Sequence, residues 1–179
     1  MLNQTPRNSL SPHVPPKGEQ DAGSLGEIQL NHAWIAVHIP HQGSMCLLDC
    51  VEEWDAQRIR CRATSHRATD NPLRANGCLG TACGIEYAAQ AMAVHGALLA
   101  SPDSPGARVG YLVSVRGTRL RVPRLDNIAA DLQIEAACLS RSENNILYQF
   151  ILRAAGASLL EGRATVIVNA DLFNSGNTL

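Results

Sequence analysis

The chain has 179 residues, 45% of them hydrophobic, and a formal net charge of -1. That length fits one domain with a fair core, and the near-neutral balance gives no support to nucleic-acid binding through bulk charge. No apolar run approaches the roughly 20 residues that a membrane-spanning helix needs.

Residues 1–30 open with "MLNQTPRNSLSPHVPPKGEQ" and are rich in Pro, Ser, Asn and Gln. Such a segment buries too little apolar surface to offset its ordering, so it is expected to be a disordered tail. It lacks the charged and apolar regions of a signal peptide. Folded structure is expected over 31–170, beginning near Ala33, with 171–179 as a C-terminal tail. "AWIAVHIPH" forms a short helix or strand, punctuated by Pro40, and "HQGS" makes a turn. "MCLLDCVEEW" and "RIRCRATSH" read as two β segments joined around "DAQ". "RATDNPLRANGCLG" is a loop, with turn formers at Asp70-Asn71-Pro72 and Asn76-Gly77.

A helix is expected from about Ala82 to Leu99, with Ile85, Ala89, Met92 and Gly96 on one side and Ala88 and Ala91 close by. Its small residues let a sheet wrap it closely, and "SPDSPG" ends it. Four strands follow: "VGYLVSVRGTRLRV", "LQIEAACLS", "ILYQFILRA" and "SLLEGRATVIVN", with turns at "RSENN" and "AGA". One long apolar helix beside a run of antiparallel strands predicts an α+β fold, a curved sheet covering the helix.

The six cysteines form no CxxC pair and mostly sit inside apolar runs. That usage predicts buried reduced thiols and a cytoplasmic protein. His38, His41, Cys46 and Cys50 carry metal-ligating atoms, but their spacing fits no closed zinc site, and no metal is expected. Glu86 near the start of so apolar a helix raises a question. It is either a first-turn partner of the helix dipole or an acid held in a dry pocket.

Four motifs carry a resemblance. "IPHQGSMCLLDCV" is similar to a Pro-His turn and first strand, "GIEYAAQAM" to a Glu-x-x-x-Gln helix signature, "GYLVSVRGTRLRVPRLDN" to an Arg-rich third strand, and "LLEGRATVIVN" to a closing strand. Together, from Ile39 to Asn169, the chain resembles the hotdog-fold 3-hydroxyacyl-acyl-carrier-protein dehydratases, in the branch associated with aryl-polyene pigment clusters. The resemblance implies a helix inside the curl of the sheet, two protomers joined edge to edge, and active sites at their interface. It implies elimination of water to a trans-2-enoyl thioester, with no cofactor beyond the substrate's own phosphopantetheine. The partners it implies are an acyl carrier protein and a second hotdog subunit, in a homodimer or a heterodimer.

Such an elimination needs a base at C2, an acid at the leaving hydroxyl and a donor at the thioester oxygen. Glu86 is the expected acid, its carboxyl kept protonated by burial, with Gln90 at i+4 orienting it. N–H groups of Thr81, Ala82 and Cys83 at the helix start are expected to polarise the thioester. The "His-Phe-Pro" loop of the common enzymes corresponds here to "NPLRANG", which holds no histidine. The nearest candidate base is His66, whose other reading is a structural strand-end hydrogen bond. His41 matches the Pro-His turn and is expected to be structural or pocket-lining. His95 is expected to be packed or at the dimer seam. Arg116, Arg119, Arg121 and Arg124, with Arg67 and Arg74 on the rim, form a candidate docking surface for acidic carrier protein; such charges also guard strand edges. A thioesterase, or a catalytically incomplete subunit that partners another dehydratase, would share most of these features.

Overall fold

The computed structural model describes residues 30–100, 110–142 and 144–168. Residues 1–29 of the N-terminal tail, the "SPDSPG" segment and the C-terminal tail lie outside the described residues. Six strands form one antiparallel sheet: β1 (Cys50–Trp54), β2 (Arg58–Ala63), β3 (Tyr111–Leu120), β4 (Leu132–Arg141), β5 (Asn145–Ala154) and β6 (Ala157–Ile167), in the order β1-β2-β4-β5-β6-β3. Two helices accompany it, the short α1 (His32–His38) and the central α2 (Gly84–Leu98). This is the hotdog arrangement that the motif order implies.

Local chemistry explains each boundary. Asn31 caps α1 by accepting from the Trp34 N–H at 3.1 Å, and Pro40 just beyond Ile39 stops it. The Asp55 carboxylate accepts the N–H groups of Gln57 and Arg58, which closes the β1–β2 turn. β5 returns into β6 through Ala155 and Gly156 alone, both at positive φ (48° and 79°), the backbone that a two-residue hairpin requires. β1 is shorter than the sequence pattern predicts, because Gly43–Met45 form a 3-10 turn and the strand begins only at Cys50.

Period-two alternation then sorts the sheet's faces. Ile146, Tyr148, Phe150, Leu152 and Ala154 of β5 are buried, as are Leu132, Ile134 and Ala136 of β4 and Ile59, Cys61 and Ala63 of β2. These residues and α2 make one core. Gly84 lets the helix start lie close on the sheet: a Cβ there would meet Leu152 Cδ2 at 2.6 Å and Leu160 Cδ2 at 2.8 Å. The residues placed together on one side of α2 are not buried alike. Tyr87, Ala88, Ala91, Met92, Val94 and His95 are buried, whereas Ile85, Ala89 and Gly96 are half-buried. The helix is apolar nearly all round, so no stripe in the sequence marks the covered face.

Among the described residues all six cysteines are free; Cys46 and Cys61 are buried and the other four half-buried. Among those residues no helix is long and apolar enough to cross a membrane. No group of three metal-ligating side chains forms among them either. His38 stacks on Trp34, His41 faces Glu86, and Cys46 Sγ lies 3.8 Å from His32 Nδ1.

Candidate active site

α2 begins after a 3-10 turn at Thr81–Cys83, which places Glu86 in its first turn. The 3-10 turn at Gly43–Met45 and the Pro40 bend carry the preceding segment past this end of the helix. His41 meets Glu86 there, Nε2 to Oε1 at 3.0 Å, with the side chains 25% and 31% exposed. Gln42 secures the bend by donating to the carbonyls of Ala36 and Ile39 at the end of α1.

Gln90 is fully buried and its amide orientation is fixed by its partners. Its Oε1 accepts from the Leu47 N–H at 2.9 Å, while its Nε2 donates to the Met45 carbonyl at 2.8 Å and to Glu86 Oε1 at 3.0 Å. The expected i+4 bond to Glu86 is present, together with an anchoring of the 45–47 segment that the sequence did not reveal. The hydrogen bond from His41 holds the Glu86 carboxyl below the usual carboxylate range; burial opposes this, and Gln90 adds to the lowering. The expectation of a carboxyl kept protonated by burial is therefore corrected. Here a charge-assisted hydrogen bond outweighs desolvation.

His66 does not reach this pair. Its ring is fully buried and its Nε2 bonds the Ile128 carbonyl at 3.1 Å; burial pushes its pKa down. The contacts of Glu86 are His41 and Gln90. His41, expected as support, thus stands where a base was sought, and His66 stands in the core. His95 is packed, as expected, between the Tyr148 hydroxyl and the Asp55 carbonyl, both at 2.9 Å.

Of the three expected thioester donors, Thr81 gives its N–H to the Pro123 carbonyl and Cys83 gives its N–H to Gly80. Ala82, between them, is exposed. The Thr81 hydroxyl also donates to the Val122 carbonyl, so this residue ties the helix start to the end of β3.

The arginines divide. Arg124 is bound by Asp126, which also takes Arg74 and the Leu79 N–H, and Arg119 and Arg121 share Glu161. Arg67 pairs with Asp131. Arg116 lies opposite Arg163 across β3 and β6; both are exposed, and neither has an acidic partner among the described residues. Arg124 is consequently a poor docking candidate, while Arg116 and Arg163 form a basic pair that the sequence pattern did not single out.

Comparison with known proteins extends this picture. The chain is similar in structure to the dehydratase heterocomplex ApeI:P of Xenorhabdus doucetiae, at 23% identity over 80% of this chain and 97% of that one, with a TM-score of 0.69. It also resembles a thioesterase, PA1618, of Pseudomonas aeruginosa (12% identity, 66% and 78% covered, TM-score 0.50) and a hypothetical protein of Staphylococcus aureus (10%, 66% and 91%, 0.51). At these identities the likenesses show the hotdog fold. Comparison with the curated proteins gives no match. The family model described as ApeP-like, ApeP dehydratase, matches residues 34–175, most of the chain and both members of the His41–Glu86 pair. The chain belongs to the ApeP-like dehydratase family.

Proposed function

We propose that the protein removes water from a 3-hydroxyacyl chain carried as a thioester, with His41 and Glu86 acting as one coupled base and acid. The observation that carries this reading is the 3.0 Å contact between the two at the start of α2. The pair holds one proton across this contact, hydrogen-bonded between Nε2 and Oε1. An acyl thioester that covers it removes water, and desolvation disfavours separated charges. One proton then passes from Nε2 to Oε1. That hop leaves a lone pair on Nε2 and a neutral carboxylic acid beside it.

The elimination balances on these two groups. Nε2 takes a proton from C2, the C2=C3 bond forms and the C3–O bond breaks. The departing hydroxyl takes the Glu86 proton and leaves as water. The proton taken from C2 stays on Nε2 and Oε1 has given its own away, so the pair again holds one proton and ends as it began. The N–H of Ala82, an exposed residue at the positive end of the helix, is the candidate donor to the thioester oxygen.

In the same reading the substrate arrives on acyl carrier protein by its phosphopantetheine arm, and Arg116 and Arg163 attract that acidic carrier. The cytoplasm, where free thiols persist, suits such a protein. A second hotdog subunit covers the partly exposed dyad. The likeness to a protein solved as a heterocomplex supports a different chain in that place, and the aryl-polyene assignment rests on the same family resemblance.

Incubation with a 3-hydroxyacyl thioester tests the reading through formation of the conjugated enoyl product. Glu86→Gln and His41→Ala should each lower turnover by about 10²–10⁴-fold, the usual worth of a positioned acid or base. Full turnover in Glu86→Gln overturns the proposal. Release of free acid in place of enoyl product would mark a thioesterase. Turnover that appears only after a second hotdog subunit is added would assign this chain an incomplete, partner-dependent role.

A further inference from the structure

The dyad does not account for a buried polar chain beside it. Ser65 Oγ donates to the Leu47 carbonyl at 2.7 Å and lies 3.0 Å from the Tyr87 hydroxyl. Asn71 Nδ2 donates to that hydroxyl at 3.0 Å and to the Ser65 carbonyl at 2.9 Å. Tyr87 is fully buried and Asn71 nearly so.

The direction of every hydrogen follows from the partners. A carbonyl only accepts, so the Ser65 proton goes to Leu47. An amide nitrogen only donates, so Tyr87 accepts from Asn71 and donates to Ser65. Asn71 Oδ1 accepts in turn from the Leu73 N–H at 3.0 Å. The chain therefore runs one way, from Asn71 through Tyr87 and Ser65 to the Leu47 carbonyl, and aligned bonds of this kind strengthen one another. Leu47 is gripped on its other side by Gln90, whose amide also holds Met45 and Glu86. A phenylalanine would fill the space of Tyr87 without buried polar atoms to satisfy. The hydroxyl has a positional use instead.

We infer that Tyr87 and Ser65 are positioning residues: they lock the Met45–Leu47 segment against α2 and so keep Gln90 on Glu86 and His41 within reach of the carboxyl. This inference rests on the dyad reading above. Removing the Ser65 hydroxyl leaves the Leu47 carbonyl without its donor, and removing the Tyr87 hydroxyl takes away the bond that orients that donor; either way the segment slides, and the Gln90 amide follows the Leu47 N–H away from Glu86. The Gln90 bond lowers the Glu86 pKa, so its loss raises that pKa. The titratable group facing Glu86 is His41, from the bend after α1; Gln90, from α2 itself, is neutral. Cys83 and Asp49 are the titratable neighbours of Tyr87.

The test compares Ser65→Ala and Tyr87→Phe with Ser65→Thr, and with Tyr148→Phe as a control. Tyr148→Phe deletes a buried hydroxyl that bonds His95, farther along α2. Ser65→Ala and Tyr87→Phe should lower kcat roughly five- to tenfold, the kinetic equivalent of one neutral hydrogen bond. KM should stay unchanged, and the acid limb of the kcat–pH profile should move upward. Ser65→Thr should restore both. Tyr148→Phe should lower the melting temperature but leave kcat and the acid limb in place. Should Ser65→Ala not fold, Tyr87→Phe, which keeps the ring, decides alone. The inference is overturned if the two hydroxyl deletions cost melting temperature only, or if the control moves the acid limb as far. Full turnover of Glu86→Gln in the same assay overturns the dyad itself and this inference with it; an inactive Glu86→Gln beside normal Ser65→Ala and Tyr87→Phe overturns the positioning role alone.

Discussion

Two effects of opposite sign act on Glu86, and His41 decides between them. The imidazole lowers the carboxyl pKa, burial raises it, and the Gln90 amide lowers it further. Taking away the first leaves burial set against a single neutral hydrogen bond. His41→Ala should therefore raise the Glu86 pKa, read by a carbon-13 carboxyl titration; an unmoved titration would deny the coupling. The same lowering gives a stability contribution that is present above the unfolded carboxylate pKa and lost as pH falls through the folded value, kept small by partial exposure. Glu86 stood out in the sequence because a carboxylate is conspicuous among Ile, Ala and Met. Its partner did not, because His41 and Glu86 meet only when a bend after α1 is laid across a helix 45 positions later. His66 drew attention as the histidine nearest a loop that lacked one. A carbonyl at Ile128, 62 residues on, binds it instead, and no local pattern announces a bond of that span.

The elements around the dyad are joined by Asp126, a residue that the motif reading passed over. Its Oδ1 accepts from the Leu79 N–H at 3.1 Å and from Arg124 Nε at 2.8 Å, and its Oδ2 from Arg74 at 3.0 Å. These bonds clamp the 74–79 loop to the turn after β3 immediately before α2 begins. Arg124, opposed by burial and helped by the backbone N–H of Leu79, holds the Asp126 carboxyl far below the usual carboxylate range. A depressed folded pKa supplies stability above the unfolded value, near pH 4, and gives it up as the medium becomes more acid. Asp126→Asn should thus be less stable at neutral pH and show a flatter decline in acid, by denaturant unfolding at several pH values; a parallel decline would refute the clamp. The strands were legible because alternation survives in β4, β5 and β6. The buried face of α2 was not, since residues of nearly equal hydropathy surround it and only Gly84, fitted against Leu152 and Leu160, reveals how it lies.

At the scale of the whole molecule the sheet has an unfinished side. Among the described residues β3 is hydrogen-bonded to β6 alone, and Tyr111, Leu112 and Val113 are 46%, 39% and 43% exposed in succession. A strand edge that bare invites another strand. If β3 is the edge on which the proposed second subunit sits, Val113→Lys should shift the protein toward monomer in sedimentation analysis and reduce turnover with it; unaltered assembly would remove the edge from consideration. The run of apolar residues was visible in the sequence as a strand. That it has one neighbour and not two became visible only when β6 was seen to occupy its other side. Bulges between Leu112 and Ser114 and between Arg116 and Arg119 interrupt even that pairing, so this strand opens more readily than those at the centre. Timing follows from that. In the proposed assembly, a newly made copy spends the interval before pairing with its weakest strand unguarded, and the supply of the second subunit sets how long that interval lasts.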